Sequence, residues 1–183
     1  MELMKRYPDN YFDLAIVYLK INTYIWRMEN ISDMQIGKAG EYLVCAELIM
    51  MGFIAYPSEQ GLPYDIVMDF EGKLLKVQVK TTRGLRNVLQ RKNPIKAYQF
   101  NIKRCGKKNK QLHTSESVDL FALVALDTKQ VGFMLNEDVK QTMAFRPDSL
   151  KGTYKDENSN REITGTYLSD LTLDKVLCKL QKK

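Results

Sequence analysis

The apolar patterning of this 183-residue chain predicts an α/β fold. Three features of the patterning carry that prediction. Residues 32–51 follow the helical period, and the second half of that stretch is apolar almost all round, so it is buried on most sides. Lys73–Lys80 alternates cleanly, with Leu75, Val77 and Val79 on one side and Lys76, Gln78 and Lys80 on the other. Val118–Leu126 is nearly continuous apolar, as expected of a central strand covered on both faces.

Each element has its own local signal. Residues 9–28 hold Phe12, Ile16, Leu19, Tyr24 and Trp26 among apolar neighbours, which predicts a helix with a break near Asn22–Thr23. Ser32 or Asp33 can cap the next helix, which stops at Gly52. Phe53–Tyr56 reads as a short strand ended by Pro57, and Ser58–Pro63 as a loop. Tyr64–Phe70, the turn Glu71–Gly72 and Lys73–Thr82 form a tight hairpin. Its pairing brings Asp65 opposite Gln78 or Lys80. Tyr98–Lys103 is a further strand, and Asp127–Gln130 turns the chain into Val131–Leu135. Asn136 is expected to cap a short helix reaching about Phe145. Pro147–Thr166 is polar and turn-rich and is expected to be a mobile segment. Ser169 is expected to cap a last helix, whose Lys179, Lys182 and Lys183 suit the negative end of the helix dipole. The expected organisation is a helical extension at 1–31, a core at 32–145, and a polar segment with the last helix at 146–183.

Composition removes several chemistries. The chain is 44% hydrophobic and 27% charged, close to ordinary globular averages. Its longest apolar stretch, Leu48–Tyr56 with Gly52 inside it, falls far short of the ~20 residues that span a bilayer. Leu14–Leu19 is too short for a secretory signal core. Cys45, Cys105 and Cys178 are scattered, form no metal-knuckle pair, and read as reduced intracellular thiols. A cytoplasmic protein without a membrane partner is expected. His113 is the single histidine, which excludes a Cys/His zinc finger and a two-His metalloprotease site. Neither Ser115 nor Ser117 sits in a nucleophile elbow, and His113 beside Thr114 and Ser115 reads as a loop residue.

The formal charge of +6 conceals an uneven distribution. Lys73–Leu112 holds 13 of the 28 basic residues and none of the 22 acidic ones, so the rest of the chain is net −7. Such a block is either a set of Lys-rich sheet edges in solvent or a polyanion-binding face, where each contact to a phosphate releases counterions. Asn87, Gln90, Asn93, Tyr98, Gln99, Asn101 and Gln111 are interleaved there and can contact sugar, phosphate or base edges. The helix over 32–51 also carries Glu41 and Glu47, and a carboxylate on so apolar a helix needs solvent or a partner. Periodicity does not choose between the two.

Taken in order, the helix with Gly37-x-x-Gly40-Glu41, then Pro63-Tyr64-Asp65-Ile66-Val67, then Val77-Gln78-Val79-Lys80-Thr81-Thr82, resembles the PD-(D/E)XK nuclease superfamily. Tyr-Asp stands in place of Pro-Asp, and Gln-Val-Lys in place of Glu-x-Lys. The Gln variant, the 13-residue spacing from Asp65 to Gln78, and the later strand from Val118 look most like the group I intron homing endonuclease branch. Archaeal Holliday-junction resolvases share the layout. The resemblance covers roughly residues 32–135 and implies a restriction-endonuclease-like core, a mixed central β-sheet flanked by helices.

The resemblance also implies a Mg²⁺-dependent DNA endonuclease, with Mn²⁺ able to substitute. Asp65 would ligate the metal, with the Gln78 amide oxygen and the Val79 carbonyl beside it. Lys80 would steer the attacking water, and Glu41 would hold a water of the metal's shell or orient Lys80. Ser58 and Gln60 are weaker candidates for contact with the scissile phosphate. Arg83, Arg86, Arg91, Lys92, Lys96, Lys103 and Arg104 are the candidates for DNA contact. Two-strand cleavage implies a homodimer or tetramer, with the Tyr/Trp-rich first helix as a contact. The alternatives are a Holliday-junction resolvase or other structure-specific nuclease, a catalytically inactive DNA-binding relative, and a module whose basic block meets an acidic protein.

Overall fold

A computed structural model describes residues 31–88, 95–102, 117–151 and 167–182. The chain divides into two units, Met1–Gln35 and Ile36–Lys183, and the sheets, both cores and the candidate site belong to the second. The helix expected over 9–28 lies outside the described residues.

Helix α1, Asp33–Met50, starts and stops where its sequence dictates. Ser32 Oγ accepts from the Gln35 N–H (3.3 Å) while Gln35 Oε1 accepts from the Ser32 N–H (2.9 Å), a reciprocal cap. At the other end Gly52 adopts φ +92°. The Phe53 N–H then reaches Leu48 O (3.0 Å) and the Gly52 N–H reaches Ile49 O (2.9 Å), satisfying carbonyls that the helix end leaves open.

Eight strands follow: β1 (Ile54–Pro57), β2 (Ile66–Phe70), β3 (Lys73–Thr82), β4 (Arg86–Val88), β5 (Ile95–Asn101), β6 (Leu120–Ala125), β7 (Gln130–Leu135) and β8 (Thr142–Phe145). One mixed sheet has the order β1-β2-β3-β6-β7, with β3 and β6 parallel and the other neighbours antiparallel. A smaller antiparallel sheet has the order β4-β5-β8. A second helix, α2 (Leu173–Gln181), ends the described chain. Among the described residues no helix is long and apolar enough to cross a membrane.

Strand β6 fixes the layering. Every one of its residues is buried. Leu120, Ala122 and Val124 join Val44, Cys45 and Leu48 of α1 and Leu173, Val176 and Leu177 of α2 in one core. Phe121, Leu123 and Ala125 join Tyr98, Phe100, Phe145 and Leu168 in another, beneath the small sheet. A strand covered on both faces needs apolar residues at every position, which is why the sequence signal there was continuous. Strand β3 alternates instead: Leu75, Val77 and Val79 belong to the helical core, so Gln78 and Lys80 emerge on the other face.

Two expectations require correction. The helix expected from Asn136 to about Phe145 is a single 3-10 turn, Asn136–Asp138, followed by β8. The Asn136 amide donates to Val118 O (2.8 Å) instead of capping, and Thr142–Phe145 gains a full strand pairing with β5. The last helix begins at Leu173, not after Ser169, because the Ser169 hydroxyl is already used: it donates to Asp148 Oδ1 (2.7 Å) and accepts from Lys151 Nζ (2.6 Å). Arg86–Val88, to which the patterning assigned no element, is a strand paired with β5.

Candidate active site

The hairpin β2–β3 builds the site. Its turn residues Glu71 (φ 55°) and Gly72 (φ 80°) give the left-handed pair that matches strand twist, and the Gly72 N–H is held by Asp69 Oδ1 (2.9 Å). The register pairs Ile66 with Val77, and the Asp65 N–H donates to Val77 O (2.9 Å), extending the ladder by one residue. Asp65 therefore lies opposite Gln78. Tyr64 packs against the core beneath the small sheet, so an apolar anchor replaces the fixed φ that proline would have supplied at this position.

Asp65 Oδ2 accepts from the Val79 N–H (2.7 Å) and from Gln78 Nε2. Gln78 Nε2 also approaches Val79 O (3.4 Å). The amide nitrogen thus stands where a carboxylate oxygen and a backbone carbonyl converge. Turning the amide over would put Oε1 in the same place and leave three oxygens facing one point. These are hard oxygen donors, the set that Mg²⁺ and Mn²⁺ prefer, so the residues present fit a divalent cation. Among the described residues no three His, Cys, Asp or Glu side chains gather as a metal cluster, so any such site relies on the amide and the carbonyl.

Electrostatics tie further residues to this point. Burial, chiefly, pushes the Asp65 carboxyl above its ordinary value, and the charge of Glu41 adds to the rise. The Val79 N–H, Lys80 and Lys38 oppose it. Lys80 is half-buried on the Gln78 face, in register with Leu123 of β6. Glu41 is held by Lys38, Nζ to Oε2 at 2.7 Å. The charge of Glu41 is felt at Asp65, and the residue before it, Gly40, is where α1 approaches β3 so closely that a Cβ would lie 3.0 Å from Thr81 Cβ. Gly37 has open space around its Cα, so only one glycine of Gly37-x-x-Gly40 serves that approach. Glu47, the other acid on this helix, instead lines a cavity of about 410 Å³ with Phe53, Phe133 and Asp174.

The remaining candidates are dispersed. Ser58 anchors its loop: its hydroxyl donates to Tyr64 O (2.5 Å) and its N–H to Asp65 O (2.8 Å). Gln60 is exposed in that loop beside Gly61, which has φ +96°. Arg83, Arg86 and Lys96 are exposed, the last two on the small sheet. Arg91, Lys92, Lys103, Arg104 and His113 lie outside the described residues. Lys38 was not among the residues singled out from sequence, and its signal was the helical spacing to Glu41, three residues on.

A profile of PD-(D/E)XK endonucleases matches residues 31–154. No curated protein sequence matches the chain. Among solved structures, the bacterial homing endonuclease I-Ssp6803I is 17% identical, with 84% of this chain and 99% of that one covered and a TM-score of 0.56. The shared architecture is the restriction-endonuclease-like α/β core, with a mixed sheet flanked by helices.

Proposed function

This chain belongs to the PD-(D/E)XK endonuclease family, and from that membership we propose that it is a Mg²⁺-dependent DNA endonuclease of homing type, cutting both strands at a defined site. The observation that supports the reading best is the convergence of the Asp65 carboxylate, the Gln78 amide and the Val79 carbonyl within reach of the charge of Lys80. Asp65, Gln78 and Val79 would hold the ion, Mg²⁺ or in its place Mn²⁺. When bound, the ion supplies Lewis-acid polarisation of the scissile phosphate and lowers the pKa of a coordinated water.

The protein's own groups do the rest. Lys80 Nζ donates to the attacking water and offsets the negative charge that grows as that water loses its proton. Glu41 would hold a water beside that ion or orient Lys80. Ser58 keeps the 58–64 loop seated on Asp65, and Gln60 is on the exposed part of that loop, where a phosphate would pass. Arg83, Arg86 and Lys96, with Arg91, Lys92, Lys103 and Arg104 from the same basic block, neutralise the DNA backbone. Cutting two strands takes two such sites, so the working form is a homodimer or tetramer, and the location is cytoplasmic.

Gln78 favours one other reading, a DNA-binding relative without cleavage, because the amide removes a negative charge from the ion's surroundings. Supercoiled plasmid, a four-way junction and a random-site duplex library, each with and without Mg²⁺, separate the readings. Site-directed cleavage of the library, lost in Asp65→Ala and in Lys80→Ala while DNA retention persists, is the expected result. Junction-only cutting points to a resolvase, and salt-sensitive retention with no Mg²⁺-dependent nicking points to the inactive relative.

A further inference from the structure

Lys38 stands apart from the residues that the family pattern would single out, yet it is built into the same charge cluster. Its Nζ lies 2.7 Å from Glu41 Oε2 and 5.4 Å from the centre of the Tyr42 ring. It acts on Asp65 as a through-space positive charge, alongside Lys80. The Lys38 side chain is 39% exposed whereas that of Glu41 is 19% exposed. The acid is held inward and the ammonium reaches it from the solvent side, over an aromatic face. Gln78 brings no charge, so among the described residues the charges acting on Asp65 are those of Glu41, Lys38 and Lys80.

We propose that Lys38 is a positioning residue that neutralises Glu41 beside the cation site, so that the DNA-free protein holds its metal weakly and tight binding follows the arrival of a phosphate. The inference rests on the metal-dependent nuclease reading. An ammonium bound to Glu41 repels an incoming cation and cancels the negative charge that this carboxylate would set beside it. A DNA phosphate offers the ammonium another anion. Lys38, being on the solvent side and carried by a flexible stem, is free to swing to it. The charge of Glu41 is then released to favour the cation. A metal site with few anionic ligands is thereby kept from filling until substrate is present.

The test is Mn²⁺ titration by calorimetry on the DNA-free protein, with no catalytic readout. Lys38→Gln is expected to bind Mn²⁺ roughly threefold to tenfold more tightly than wild type, the size expected for removing one partly screened charge. Lys38→Arg, which keeps the charge, is expected to stay near wild type. In a Glu41→Gln background the Lys38→Gln effect is expected to vanish, because the lysine acts through that carboxylate. Unchanged or weaker Mn²⁺ binding by Lys38→Gln, in a wild type that does bind, overturns this inference alone. No Mn²⁺ uptake by wild type and by Lys38→Gln alike overturns the metal reading and this inference together.

Discussion

Gln78 is the side chain on which the chemistry turns. Its Nε2 donates to Asp65 Oδ2, so in the absence of metal the amide stabilises a carboxylate that burial disfavours. Replacing it by Glu exchanges that donor for a second anion. Gln78→Glu is therefore expected to melt on the order of 5 °C lower than wild type at pH 7 without metal, the loss of one charge-assisted hydrogen bond. It is expected to recover most of the difference when Mn²⁺ is added. Thermal melts with and without the ion check this, and an unchanged metal-free melting temperature counts against it. Glu47 offers a control on the same helix. Burial raises its carboxyl above the ordinary value, so the native state keeps a proton that the unfolded chain has already released. Stability conferred by that proton is lost as pH rises through the raised value. Glu47→Gln should melt higher than wild type at pH 7, with the gap closing toward pH 4; equal melting at both pH values contradicts the burial argument. The Asp65–Gln78–Lys80 arrangement was legible because a strand has period two and a two-residue turn fixes its register. The choice between Glu41 and Glu47 was not legible, since it depends on how α1 approaches the sheet. Lys38 was hidden because a Lys–Glu pair three residues apart is commonplace on solvated helix faces.

At the level of elements, the contact between α1 and β3 carries the site. Alanine for glycine ordinarily stabilises a helix by roughly 0.5–1 kcal/mol. At Gly40 the sign should reverse, because the added Cβ would lie 3.0 Å from both Thr81 Cβ and Cγ2. Gly40→Ala is expected to lower the melting temperature by several degrees, from overpacking of about 1–3 kcal/mol. Thr81→Ala in the same chain should recover part of the loss. Melts of the two variants test it, and a stabilised Gly40→Ala would show that helix and strand are not in close contact there. Strands β2, β3, β6 and β7 were readable from alternation or from continuous burial. β4 was not, because Arg86-Asn87-Val88 is too short to show a period and two of its residues are exposed. β8 was misread because Asn136 looks like a cap when considered alone, while its amide is used by Val118 O. Pairing with β5 decided the conformation of Thr142–Phe145, and the partners are distant in sequence, from 41 residues (Asn101 with Thr142) to 47 (Tyr98 with Phe145), with β6 and β7 between them.

For the whole molecule, charge decides how it meets a long polyanion. The basic residues of 73–112 outweigh a remainder that is net negative, so binding should be driven by counterion release from one region of the chain. Retention of DNA is expected to fall steeply with salt, and neutralising Arg86 and Lys96 together should reduce the slope of log affinity against log salt by about 2. Filter binding across a salt series measures that slope, and an unchanged slope would remove the small sheet from the DNA-facing surface. The basic block was visible from composition alone, whereas the small sheet that carries Arg86 and Lys96 was not foreseen from sequence. The most direct test of the account is a crystal structure of the protein grown with Mn²⁺, using the ion's anomalous signal. The expected result is an ion bound by the Asp65 carboxylate, the Val79 carbonyl and a turned-over Gln78 amide oxygen, with Lys80 directed at its water. An ion bound elsewhere, with Gln78 Nε2 still donating to Asp65, would contradict it.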